Sequence, residues 1–190
     1  MSLTRQVKTQ SQILLASVGS FWLIEALDVF IFAGSLDKFG IQPHRLSGLI
    51  GILFAPFLHG DWAHLISNTV PFLILGWLVM LQETSDFWIV NILTLLVGGL
   101  GVWLFGGVGT VHIGASILIF GYLGFLLLRG WFQKNIPSIL LSVLVFIGYG
   151  SMIWGILPTT PGVSWQGHLF GFLGGAIAAK MIAKEKSLYS

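Results

Sequence analysis

Long apolar runs dominate this chain and constrain its fold more than any other feature of the sequence. Hydrophobic residues make up 55% of its 190 positions and charged residues only 8%, and the mean hydropathy is +0.91. These values lie far outside the range of soluble domains and indicate an integral membrane protein. A helix needs about 20 mainly apolar residues to cross a bilayer. Six segments meet this requirement and are predicted to span the membrane: 12–33, 64–82, 88–107, 113–129, 136–156 and 166–183.

The composition also excludes several classes of function. The chain has no cysteine, which excludes disulfides, thiol nucleophiles and cysteine metal sites. Its net charge of +2 comes from a few scattered groups and predicts no nucleic-acid partner. His59 and His64 are five residues apart, unlike the paired histidines of a zinc protease helix, so we predict no metal and no cofactor. We expect His59 and Asp61 to bond with loop groups instead. Asp28 is the one aspartate inside a predicted span, which excludes an intramembrane aspartyl protease.

Lys and Arg residues predict the orientation of the six spans. An even number of spans puts both termini on one side, and cytoplasmic loops are enriched in Lys and Arg. Seven of the nine basic residues fall on the side of the termini and two fall opposite. The first set is Arg5, Lys8, Arg129, Lys134, Lys180, Lys184 and Lys186, and the second is Lys38 and Arg45. We therefore predict cytoplasmic termini, so that spans two, four and six start at the outer face.

Three short interruptions by polar and small residues open these same three spans, at residues 64–68, 114–116 and 167–168. Because a helix rises 1.5 Å per residue, the three groups are predicted to lie within one or two turns of the same depth. The stretch 41–63 is apolar but broken by proline and glycine, and it is predicted to form an interfacial loop with short helices.

Ser116 and His168 are the residues of these interruptions that suit nucleophilic catalysis. A serine hydroxyl becomes a nucleophile when a base takes its proton, and imidazole suits this task near neutral pH. Gly114 is small enough for a peptide backbone to approach, and the N–H of Ser116 at a helix N-terminus can stabilise an oxyanion. His64 and Asn68 project from one helical face and can supply further donors to that oxygen.

Packing between spans four and six favours the same pairing. Gly171 and Gly175 lie on the helical face of His168 and allow close helix contact. Phe120 lies one turn below Ser116 and is predicted to pack against the imidazole ring. The loop 155–166 contains proline and glycine and is predicted to cover the site.

These motifs, together with Gly121 and Gly124 on span four, resemble those of the rhomboid family of intramembrane serine proteases. The resemblance extends over spans two to six and implies an all-α membrane protein, a compact bundle of six transmembrane helices. The expected organisation is a membrane domain at 12–183 between short cytoplasmic segments at 1–11 and 184–190.

The resemblance also implies roles for individual residues. Ser116 and His168 are expected to form a dyad without an acidic third member. His64, Asn68, Gly114 and the Ser116 amide are expected to form the oxyanion and substrate-binding site. The expected partners are the lipid bilayer and the transmembrane helices of substrate proteins. Ile117 stands where the family usually has glycine, so it is predicted to narrow the substrate pocket.

The expected function is that of an intramembrane serine endopeptidase in a plasma membrane of the bacterial type, with its active site open to the outer side. The alternative is a noncatalytic rhomboid-like protein that binds and escorts transmembrane helices. Such a protein would be expected to lack the serine or the histidine, and both are present. A small-solute transporter would usually contain inverted repeats, and no convincing repeat is found in this sequence.

Overall fold

The computed structural model describes residues 2–188, with side chains described for residues 2–184. The last two residues of the predicted cytoplasmic tail and the side chain of Lys186 lie outside this part. The described chain forms six main helices and one isolated antiparallel bridge between Ile41 and His112. The helices are α1 Leu3–Leu27, α2 Trp62–Val79, α3 Ser85–Phe105, α4 Ser116–Gln133, α5 Ile136–Tyr149 and α6 Trp165–Leu188.

Five helical segments of the described chain are long and apolar enough to cross a membrane. They are Leu3–Phe32, Trp62–Val79, Ser85–Phe105, Ser116–Gln133 and Ile136–Ile156. This confirms an all-α membrane protein. Helix α6 has 24 residues, but it is less apolar because Gln166 and His168 lie in its first turn, Lys180 lies further along, and it is rich in glycine. A sixth crossing and cytoplasmic termini therefore stay predictions.

Helix α1 starts at Leu3 rather than at residue 12, where the apolar run begins. The hydroxyl of Ser2 accepts a hydrogen bond from the Arg5 N–H (3.4 Å) and caps the first turn. The polar residues that follow are compatible with a helix, which hydropathy alone does not reveal. Whether residues 1–11 lie in the cytoplasm stays a prediction. At its other end α1 continues into a π-helical turn, Asp28–Phe32.

The loop that precedes α2 contains short helical turns at Leu46–Leu49, Gly51–Phe54 and Ala55–Phe57, as predicted. The turns bury Ile52 and Ala55 but leave Leu46 and Leu53 exposed. Exposed apolar side chains of this kind suit contact with lipid.

Helix α4 lies at the centre of the bundle, packed against α2, α3, α5 and α6. Its contact with α6 depends on glycine, as predicted. A Cβ atom added at Gly171 would collide with the carbonyl oxygen of Ile117, and one at Gly175 would collide with that of Gly121. Glycine at these positions lets the two backbones touch, which brings the N-terminal ends of α4 and α6 together.

A buried ion pair near the other end of α4 ties this helix to α3. The guanidinium of Arg129 on α4 lies 3.0 Å from the carboxylate of Asp86 on α3, and both side chains are almost fully buried. Arg129 also donates hydrogen bonds to the side chains of Gln82 and Gln133. Arg129 therefore does not face solvent at the end of its span, although its charge contributes to the predicted cytoplasmic bias.

Replacing Arg129 by methionine is expected to destabilise the protein strongly, because the buried carboxylate of Asp86 would lose the guanidinium that lies 3.0 Å away. Breaking a buried pair in this way costs about 3–5 kcal/mol. The measurement is the thermal unfolding midpoint in detergent, compared with Lys8→Met, which removes an exposed charge. The double variant Arg129→Met/Asp86→Leu is expected to recover stability, and equal midpoints for Arg129→Met and wild type would contradict the expectation.

Candidate active site

The hydroxyl of Ser116 and the imidazole of His168 meet at the N-terminal ends of α4 and α6. Ser116 Oγ lies 3.0 Å from His168 Nε2, within hydrogen-bonding distance. Ser116 is the first residue of α4, so its N–H lies at a helix N-terminus, as predicted, although the helix starts three residues after the start of the predicted span at residue 113. Helix α4 starts late because Gly114 adopts a φ of +108°, which no helical residue has. His168 is the fourth residue of α6, one turn inside the helix as predicted.

Two groups fix the orientation of the His168 ring. Its Nδ1 lies 2.9 Å from the carbonyl oxygen of Gly155, which can only accept, so Nδ1 carries the proton and donates. Nε2 of the neutral ring then faces Ser116 as an acceptor for the hydroxyl proton. The ring of Phe120 stacks on the imidazole with centroids 3.9 Å apart and planes at 6°, which confirms the predicted contact.

Gly155 is the part of this arrangement that sequence reasoning missed. It lies in the 3₁₀ helix Gly150–Ile156, and a Cβ added to it would come within 2.7 Å of Phe120 Cζ. Glycine therefore lets the backbone carbonyl approach the imidazole past the phenyl ring. A backbone acceptor leaves no side-chain motif in a sequence, and the glycine itself was the one available signal.

His64 and Asn68 approach the same loop from α2. A Cβ added to Gly114 would lie 2.6 Å from His64 Nε2 and 3.8 Å from Asn68 Nδ2. Glycine is thus required at position 114 both for its backbone conformation and for the space that His64 occupies. One proton of the Asn68 amide is donated to the carbonyl oxygen of His64 at 3.0 Å. The structure therefore brings together all five residues that the sequence singled out.

His59 and Asp61 hold the surrounding loops, as predicted. The carboxylate of Asp61 caps α2 by accepting from the His64 N–H at 2.7 Å. His59 is buried, its Nε2 accepts from the Ala115 N–H at 3.5 Å, and its ring meets that of His64 edge-on. Burial and the neighbouring His64 lower the pKa of His59 to about 4, so the ring is neutral and can accept.

A cavity of about 1070 Å³ opens over Ser116 and His168. Its walls include His64 and Asn68 on one side and the loop 158–166 on the other. The loop that was predicted to cover the site therefore borders it. Water and an unwound peptide segment both fit in a space of this size.

Ile117 does not project into this large cavity. Its side chain is buried between α3 and α6, and a Cβ added to Gly98 would lie 2.8 Å from Ile117 Cδ1. Ile117 does border a second cavity of about 10 Å³ beside Ser116. Neighbouring residues on a helix point about 100° apart, which explains why the residue after Ser116 packs between helices.

Glu25 lies in the last turn of α1 and Asp28 begins the π-helical turn that follows, and both are buried. The carboxylate of Asp28 accepts from the Leu36 N–H at 2.8 Å and so holds the turn that follows the helix. Neither residue lines the cavity over Ser116. Within the described chain, no group of three or more His, Cys, Asp or Glu side chains could hold a metal ion.

Comparison with known proteins agrees with this geometry. The family model described as the Rhomboid domain matches residues 46–185, most of the chain. The chain belongs to the rhomboid family. The match covers α2 to α6 and includes every residue of the candidate site, whereas α1 lies before it.

Several mycobacterial proteins are similar to this rhomboid over most of its length. Uncharacterized proteins of Mycobacterium bovis and Mycobacterium tuberculosis are 42% identical over 178 residues, which covers 90% of this chain and 74% of each relative. An uncharacterized protein of Mycobacterium leprae is 39% identical over 178 residues, covering 90% of this chain and 70% of the relative.

Proposed function

We propose that this rhomboid is an intramembrane serine endopeptidase that cleaves transmembrane segments of other membrane proteins. One observation carries the proposal: Ser116 Oγ lies 3.0 Å from His168 Nε2, and Gly155 holds the proton on the other ring nitrogen. This is the geometry that a base needs to activate a serine nucleophile. A neutral imidazole aimed at a serine hydroxyl in this way favours catalysis over a noncatalytic helix-binding role.

In the acylation step, Ser116 Oγ attacks the carbonyl carbon of the scissile peptide bond while His168 Nε2 takes the hydroxyl proton. The tetrahedral intermediate collapses when His168 returns this proton to the leaving amine, which breaks the C–N bond and leaves an acyl ester on Ser116. The Gly155 carbonyl supports the imidazolium by accepting from Nδ1–H, in the place where other serine proteases use a carboxylate.

The negative oxygen of the intermediate would lie between α2 and the start of α4. The N–H of Ser116 has no acceptor within its helix because it belongs to the first turn. The side chains of His64 and Asn68 lie beside Gly114 and supply two further donors. Deacylation uses water from the cavity, with His168 again taking and returning a proton.

Substrates of such a site must unwind before they are cut, because the carbonyl group of a helix is hydrogen-bonded and shielded. We therefore expect helix-weakening residues near the scissile bond. With cytoplasmic termini, the cavity opens to the outer side of a plasma membrane, and the substrate segment enters laterally from the bilayer.

Replacing His64 by phenylalanine is expected to lower kcat by ~10²–10³-fold, the usual effect of losing one oxyanion donor. Phenylalanine keeps a ring against His59 and removes both nitrogens. KM is expected to change little, because the donor acts on the transition state. Steady-state cleavage kinetics measure both constants. An increase in KM at unchanged kcat would assign His64 to substrate binding instead.

The proposed function is tested by offering the purified protein two substrates in detergent micelles. One contains a transmembrane segment with a central glycine, and the other is a soluble unfolded polypeptide. Mass spectrometry of the products is expected to place the cut within or at the edge of the apolar segment, with the soluble chain left intact. Intact transmembrane substrate after prolonged incubation would favour the noncatalytic alternative.

A further inference from the structure

A second hydrogen bond between a histidine and a serine lies next to the Ser116–His168 pair. His112 Nδ1 is 2.6 Å from Ser164 Oγ. His112 precedes Ser116 by four residues and Ser164 precedes His168 by four, so both bonds join partners 52 residues apart. The second bond therefore connects the same two segments of chain, with the residue types exchanged.

Ser164 forms the start of the helix that carries His168. Its hydroxyl oxygen accepts from the Gly167 N–H at 3.3 Å, and its carbonyl oxygen accepts from the His168 N–H at 3.1 Å. Ser164 is thus the N-cap of α6. Because its oxygen already accepts from Gly167, its own hydroxyl proton is available for His112 Nδ1.

The remaining bonds of His112 complete a chain of donors. Nε2 lies 2.8 Å from Thr110 Oγ1, whose hydroxyl in turn donates to the carbonyl oxygen of Gly107 at 2.6 Å. This series of hydrogen bonds is consistent with a neutral His112 ring that accepts at Nδ1 and donates at Nε2. Burial also lowers the pKa of His112, which favours the neutral ring.

The main chain of His112 is held by hydrogen bonds to the segment that precedes α2. It exchanges two hydrogen bonds of 2.9 Å with Ile41, and the Gly114 N–H donates to the Ala55 carbonyl at 2.8 Å. The loop that carries Ser116 is therefore held against the segment 41–55. The imidazole of His112 links this fixed loop to the start of α6.

Side-chain packing does not fill the region beside this link. The cavity of about 10 Å³ is bordered by Ser116 on one side and by His112 and Ser164 on the other. It has room for about one water molecule. The hydrogen bond therefore joins the two segments at a point where side-chain packing between them is incomplete, in addition to the glycine contacts between α4 and α6.

We propose that His112 and Ser164 are positioning residues whose hydrogen bond sets the distance between Ser116 and His168. This proposal rests on the proposed function and adds two positioning residues to the catalytic pair. A shift of about 1 Å in a reacting group can cost on the order of 10²-fold in rate. Loss of the bond is therefore expected to slow attack by Ser116 about 10–100-fold while leaving substrate affinity unchanged.

The test measures the second-order rate at which a fluorophosphonate labels Ser116, because a small probe is insensitive to binding of a transmembrane substrate. Ser164→Ala and His112→Leu are expected to label about 10–100-fold more slowly than wild type. Ser164→Thr keeps the hydroxyl, and His112→Asn places an amide oxygen near the position of Nδ1. In both conservative variants Ser116 is expected to be labelled at a rate within about threefold of wild type. These variants keep the test decisive if His112→Leu does not fold.

The double variant Ser164→Ala/His112→Leu tests whether the two single changes slow labelling through the same hydrogen bond or through separate effects on the site. Its labelling rate is expected to match that of the slower single variant, because either change alone removes the bond. Cleavage of a transmembrane substrate is expected to show a lower kcat at unchanged KM. Wild-type labelling rates in Ser164→Ala, or multiplicative losses in the double variant, would overturn the positioning role and leave the proposed function intact. No labelling of wild-type protein would instead count against the proposed function itself.

Discussion

Replacing Ser116 by alanine is expected to abolish labelling by a fluorophosphonate and to lower the rate of peptide cleavage by at least ~10⁴-fold. The probe forms a P–O bond to an activated serine oxygen and releases fluoride, so it reports the nucleophile itself. Ser116 is the serine that lies within hydrogen-bonding distance of a ring nitrogen of His168. Peptide mapping by mass spectrometry locates the modified residue.

Ser17→Ala is the matched control for this measurement. The hydroxyl of Ser17 bonds back to the carbonyl oxygen of Ile13 within α1, as serine usually does in an apolar helix. This variant is expected to label and cleave like wild type. Labelling that persists in Ser116→Ala would show that another residue is the nucleophile.

Replacing His168 by alanine is expected to lower both the labelling rate and kcat by about 10⁴-fold, because the serine hydroxyl loses the base that takes its proton. The effect should not add to that of Ser116→Ala, since the two residues act as a unit. Rates of the double variant therefore should equal those of Ser116→Ala. Stopped assays with long incubation measure the residual activity.

His44→Asn is the control for the loss of a histidine outside the candidate site. His44 is exposed and adopts a positive φ of 62°, which asparagine tolerates better than alanine does. Activity is expected to stay at the wild-type level. A His168→Ala variant that folds and labels at the wild-type rate would remove His168 from the mechanism.

The proximity of the candidate site residues could be predicted from the sequence more accurately than the ends of the helices. Ser116, His168 and His64 could be placed together because the Lys and Arg bias set the direction of each span, and direction set their depth. Helix α1 starts before the predicted span 12–33 because polar residues continue the helix, which hydropathy does not register. The start of α4 was wrong because one glycine with positive φ delays it.

Two features of the site could not be predicted from the sequence. One depends on a backbone group, and the other on a contact between residues far apart in the chain. The Gly155 carbonyl that orients His168 is a backbone atom. The bond between His112 and Ser164 joins two ordinary residues that only the packed helices bring together. The predicted narrowing of the substrate pocket by Ile117 does not apply to the large cavity, because Ile117 points about 100° away from Ser116 around the helix and packs between α3 and α6.

The most direct test of the account is cleavage of a transmembrane substrate in liposomes by wild-type protein and by Ser116→Ala. A bilayer without other proteins excludes soluble proteases, and the variant differs from wild type by one oxygen atom. Wild type is expected to yield two fragments, cut within or beside the membrane, and Ser116→Ala is expected to leave the substrate intact. Equal cleavage by the two proteins, or none by either, would contradict this expectation.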